Sequence, residues 1–176
     1  MTRRATHILR SNERGAAVIE LALIAPVLAL TVVGIVDMSN AYSRKLALEQ
    51  GAQRAIEKIM QTTGDTTVET TLATEAVCQV NGMNADGTCK TSPITTANVT
   101  VTWRDQCTDA SATTTTQTTT DSTTFDGMSC PATAKEARYL QIAVTDQYTP
   151  MFPIHFSSLN GDGTYHLSAT AGMRIK

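Results

Sequence analysis

The chain has three histidines, His7, His155 and His166, and none stands at a spacing that would pair it with other ligands or with a catalytic partner. There is no P-loop, no nucleophile elbow, no H-E-x-x-H and no EF-hand loop. Asn160-Gly161-Asp162-Gly163 is too short for a calcium loop and reads as the turn before a last strand. The four cysteines form no C-x-x-C, which removes the zinc and thioredoxin-like readings. No catalysis, metal or cofactor is therefore expected. The chain also lacks a basic surplus: its formal net charge is −2, a poor starting point for holding nucleic acid.

What the chain does have is one long apolar run. Ala16 to Val36 is 21 residues whose only charge is Glu20, bounded by Arg14-Gly15 and by Asp37. About 20 apolar residues span the hydrocarbon core of a bilayer, so this run is long enough to cross one. A carboxylate inside that core costs roughly 2.5–3.5 kcal/mol on insertion scales and is by default functional. A secretory signal would have a shorter apolar region, of about 7–15 residues, followed by a small-x-small cleavage site. Here the run is longer and continues into helical sequence. The residues before it hold Arg3, Arg4, Arg10 and Arg14 against Glu13. That excess of arginine marks the cytoplasmic side, so the N-terminus stays inside and the C-terminal bulk goes out.

Gly15 followed by Ala16-Ala17-Val18-Ile19-Glu20 resembles the processing site of the type IV pilin superfamily, in which a prepilin peptidase cuts after a glycine and leaves glutamate fifth. The longer stretch Arg14-Gly15-Ala16-Ala17-Val18-Ile19-Glu20-Leu21-Ala22-Leu23-Ile24-Ala25-Pro26-Val27-Leu28, with Gly34 and Asp37 beyond it, is similar to the TadE-like pseudopilins of the tight-adherence (Tad, or Flp) pilus systems. Tyr165 to Arg174 resembles the last strand of that family. The resemblance implies a minor pilin acting in pilus initiation, assembly or tip capping, and so in surface adherence. Its implied partners are the prepilin peptidase, other pilins and pseudopilins, and the Tad inner-membrane assembly platform. It implies a single-pass inner-membrane precursor that later joins an extracellular pilus, with a surface ligand as a further partner. Cleavage between Gly15 and Ala16 would remove four arginines and one glutamate, leaving −5 on the mature chain.

Cleavage also suggests a use for Glu20. It creates a free amine at Ala16, and the amine of a neighbouring subunit could pair with Glu20 in low dielectric, so that only one axial offset neutralises both charges. The alternative is a glutamate that reaches back to the membrane interface. Two other readings of the whole chain stay open. One is a membrane-anchored extracytoplasmic binding protein that never joins a filament. The other is a minor pseudopilin of a type II secretion system.

Beyond Asp37, small or apolar residues recur at Ala41, Leu48, Ala52, Ala55 and Ile59, one stripe of an amphipathic helix. The charges from Arg44 to Lys58 fall largely off that stripe. A continuous helix from about Ala17 to about Thr62, stopped near Gly64, would be about 69 Å long. Pro26 lies inside it and predicts a kink or loosened turn, because its ring crowds the carbonyl of Ala22. Gly34 and Gly51 read as places where another helix packs closely. The expected organisation is a leader over 1–15, a transmembrane or pilin-core helix over 16–37, an amphipathic continuation over 38–62 and an exported head over 63–176.

In the head, Val68, Leu72 and Ala76 predict a short second helix, and Asn81-Gly82 and Asp86-Gly87 predict turns. Alternation in 97–104, 138–147 and 164–175 predicts three strands, giving an α+β arrangement with an antiparallel sheet packed on the long helix. Cys78, Cys89, Cys107 and Cys130 lie in the exported part, where an even count reads as disulfides with three available pairings. Cys78 with Cys89 and Cys107 with Cys130 is favoured, since each closes an intervening turn or loop; free thiols are the alternative. Residues 108–124 hold ten threonines. Such a run has too little apolar surface to order itself and reads as a solvated hairpin excursion, or as an adhesive or O-glycosylated patch.

Overall fold

The structure is a computed structural model that describes residues 13–61, 67–152 and 160–175. Arg3, Arg4 and Arg10 of the expected leader, the expected stop at Gly64, His7, His155 and the side chains of Ile59 and Val68 lie outside the described residues. Helix α1 is Glu13–Gln61, 49 residues, and runs unbroken through Pro26. At 1.5 Å per residue it is about 74 Å long. Helix α2 is Thr67–Asn81. A 3-10 turn at Thr96–Asn98 leads into strand β1, Val99–Thr108, followed by β2, Thr114–Thr119, the short helix α3, Ser122–Gly127, and then β3, Lys135–Tyr148, and β4, Tyr165–Arg174.

The four strands form one antiparallel sheet in the order β2-β1-β3-β4. Val101, Trp103, Asp105 and Cys107 of β1 share a face with Leu140, Ile142, Val144 and Asp146 of β3 and with Leu167, Ala169, Ala171 and Met173 of β4. The long helix lies over β4 and β3, and α2 lies over β1. Leu48, Ala52, Ala55 and Ile56 of α1 meet Leu72, Ala76 and Val77 of α2 and the sheet in one core, joined by Ile94 and Phe125. This is the α+β head on a long helix that the periodicity predicts. A stripe of small residues on α1 lets the second helix come close: a Cβ on Gly51 would overlap Val80 Cγ2 and lie 3.2 Å from the Val80 nitrogen.

Two expectations need correction. The sheet has four strands, because part of the threonine-rich run is ordered as β2 and pairs with β1 over Trp103–Thr108. The run does not order itself through a core of its own. Threonine is β-branched and suits an extended backbone, and both ends of the run are tied down. Asp109 caps the turn at one end, accepting from the backbone nitrogens of Ser111 and Thr113. At the other end Phe125 inserts its ring 6.5 Å from that of Trp103. The second correction concerns Arg44, which does not lie off the packed side of α1: its Nε donates to Asp146 Oδ2 at 2.6 Å in a partly buried pair.

Candidate assembly site

Apart from partial cover at Val33 and Gly34, the helix is covered by the head from Asp37 onward. Asp37, Ala41, Leu48, Gly51, Ala52, Ala55 and Ile56 are buried, whereas no described residue from Gly15 to Val36 is. Within that first part, eleven large aliphatic side chains, from Val18 to Val36, are exposed around the whole helix. Covering one such side chain is worth about 1.5–3 kcal/mol, so some 15–30 kcal/mol is left for an apolar surrounding to supply. Apolar surface of that extent does not remain in water. The helix is long and apolar enough to cross a membrane, with a mean hydropathy of 2.5 over its most apolar window.

Gly15 and Ala16 lie in the opening turns of α1, and Glu20 follows Ala16 by four residues, one turn along the same face. Glu20 is exposed, and among the described residues it has no ion pair within the chain. Its carboxylate thus sits in an apolar cylinder, and no other described side chain pairs with it. Pro26 is exposed on the same cylinder.

The point where the cylinder meets the head is built around Asp37, which is 3% exposed. Its Oδ1 accepts from the Met151 nitrogen at 2.9 Å and its Oδ2 from the Phe152 nitrogen at 3.2 Å. The segment leaving β3 is thereby fastened to α1 one residue past the apolar run, and Asn40 Nδ2 adds a contact to Met151 Sδ. Two turns on, Arg44 holds Asp146 of β3. Farther along, Lys58 Nζ binds Glu75 of α2 at 2.6 Å. Burial works to raise the Glu75 pKa, but the hydrogen bonds from Lys58 and Gln79 and the charge of Lys58 outweigh it and hold the carboxyl below its ordinary value. Sequence reasoning marks Asp37 as the end of the apolar run and as part of the family resemblance but misses its clamp role, and it takes Arg44 for an ordinary solvated residue of an amphipathic helix. The signal that could have found them is position, since both fall on the continuation of the Ala41 and Leu48 stripe.

Two disulfides brace the head. Cys78 at the end of α2 bonds Cys89, and Cys107 at the end of β1 bonds Cys130. Asp105 is 1% exposed and stands 3.8 Å from Cys130 Sγ, so Asp105, Cys107 and Cys130 cluster as metal ligands do. Both sulfurs are consumed by the disulfide, which leaves one carboxylate and no ligand set. His166 pairs with Asp162 in the turn before β4, with Nε2 and Oδ2 2.6 Å apart, far in sequence from that cluster.

A family model described as TadE-like protein matches residues 15–56, from Gly15 to the Ile56 core contact. The resemblance drawn from Gly15, Ala16, Glu20 and Asp37 is therefore shown over this part of the chain. Searches of curated proteins and of solved structures returned no match.

Proposed function

We propose that this chain is a prepilin-type precursor of a minor pilin of a Tad pilus, with an assembly role and no catalytic one. The observation that carries the reading is the bare apolar cylinder from Ala16 to Val36 with a carboxylate one turn from the Gly15 junction. Before assembly the cylinder lies in the inner membrane, with the leader inside and the head outside, as the arginine-rich leader favours. A prepilin peptidase cuts between Gly15 and Ala16. The mature helix then exchanges lipid for the helices of other pilins, an exchange that keeps its aliphatic surface covered throughout.

Glu20 sets the register of that exchange. Four residues of helix are about 6 Å, so a neighbouring helix displaced by about that distance brings its terminal amine level with Glu20. At other offsets a charge stays unpaired in low dielectric, which is strongly penalised. The head, clamped to α1 from Asp37, stays outside this contact and serves initiation, capping or adherence.

Mass spectrometry of the protein from its native cell tests the first step: a mature N-terminus at Ala16 is expected, and retention of Met1 would favour a permanent anchor. A Glu20→Leu variant tests the second. It should accumulate in the membrane at normal levels while piliation drops, and normal piliation would remove the pairing role.

A further inference from the structure

The face of the sheet turned away from the helices has a charge of its own. Its strand positions are Thr114, Thr116 and Thr118 on β2, the even-numbered residues of β1 and β4, and the odd-numbered residues of β3. Among these, Arg104, Lys135 and Arg174 are cationic and none is aspartate or glutamate. The chain as a whole is acidic. Its strand acids, Asp105, Glu136 and Asp146, all fall on the opposite face.

Register concentrates this positive charge. Arg104 pairs with Tyr139 and Tyr139 pairs with Arg174, so the three side chains form one row across β1, β3 and β4. The Arg104 guanidinium lies 4.7 Å from the centre of the Tyr139 ring. In the next row Gln141 stands beside Gly172, where no side chain fills the space above the strand. The result is a concavity of about 580 Å³ between the two arginines, also edged by Thr102, Thr118 and Thr170.

We infer that this concavity binds an acidic polysaccharide, with Arg104 and Arg174 holding carboxylates and Gln141 and the threonines holding sugar hydroxyls. Two arginines rooted about 9–10 Å apart at their Cα atoms, across two strand spacings, suit anionic groups repeated along a polymer. A nucleic acid fits less well. Single strands need aromatic rings on which bases stack, and the ring in this row already carries a guanidinium on one face. A lipid headgroup fits less well too, because of where the row lies. The Asp37 clamp on Met151 and the Arg44 pair with Asp146 show β3 running back along α1 away from the apolar cylinder. Tyr139 is seven residues beyond Asp146, about 23 Å farther out. The inference needs the head to be exported but does not need the chain to enter a filament.

The test uses the full mature chain in phosphatidylcholine nanodiscs, titrated with alginate oligomers. Saturable binding that weakens with salt is expected, with none to neutral dextran. The Arg104→Gln, Arg174→Gln double variant should lose about tenfold or more in affinity, as removal of charged hydrogen bonds does. Gln141→Glu, which leaves both arginines in place and introduces an acid between them, should lose a similar amount with an unchanged melting temperature. Absence of alginate binding, equal binding by both variants, or tighter binding to duplex DNA or to phosphatidylglycerol vesicles would each overturn the inference.

Discussion

Replacing Gly51 with alanine sets two opposed effects of similar size against each other. In an exposed helix the change would stabilise by about 0.8–1.0 kcal/mol, because alanine is the better helix former. Gly51 is instead buried where α1 meets α2, and a Cβ there would overlap Val80 Cγ2 and press on the Val80 nitrogen and Cα at 3.2 and 3.3 Å. Overpacking of this kind costs about 1–3 kcal/mol. The Val80 methyl sits on a stiff β-branched side chain, and two of the three atoms met are backbone, so relief requires the helices to move apart. The upper part of that range is expected, leaving a net loss of about 1–2 kcal/mol. For a head of this size the melting temperature should fall by about 3–8 °C. Trp103, buried in the same core, gives a fluorescence readout for the full chain in detergent micelles. A double-mutant cycle with Val80→Ala isolates the contact: the double variant should be more stable than the two single effects predict, by about 1–2 kcal/mol. If Gly51→Ala raised the midpoint, or if the two effects simply added, the close approach of the helices would be refuted.

Asp37→Ala should cost about 2–3 kcal/mol, less than two full charged hydrogen bonds because water can reach the freed Met151 and Phe152 amides. Hydrogen exchange at those two amides should accelerate, and unchanged exchange would mean that the clamp does not hold in solution. Replacing Cys107 and Cys130 together by serine should lower stability by about 3 kcal/mol, the chain entropy of a loop closed across a separation of 23 residues, with the loss read by chemical unfolding. Asp162 is held at about 2, first by the His166 hydrogen bond and then by those from Thr164. Since this pKa is depressed, its stabilisation of the turn is present above the ordinary carboxylate range, about 3.9, and is lost as pH falls towards 2. Carboxyl NMR should show that low midpoint, and His166→Ala should move it upward.

Much of the candidate site was legible because it depends on composition along a single helix. Twenty-one residues with one charge require an apolar surrounding whatever the rest of the chain does, and Gly15, Ala16 and Glu20 fall within six consecutive positions. The second helix and the strands at Val99, Lys135 and Tyr165 were legible for the same reason, since each carries its own period of apolar residues. The threonine-rich run was not. A strand without apolar alternation is ordered by what its neighbours offer, here the β1 backbone, the Asp109 turn and the Phe125 anchor.

The sequence by itself determined that this protein has an apolar helix with an acid near its start, an α+β head and four cysteines beyond it, because hydrophobic period and local turn chemistry act over a few residues. Only the tertiary structure decided that Asp37 clamps the head to the helix, that Arg44 faces Asp146, that Gly51 makes room for Val80, and that Arg104, Tyr139 and Arg174 stand in one row. Those partners are separated by roughly 30 to 115 positions in the chain. Register and packing, which depend on every element at once, bring them together.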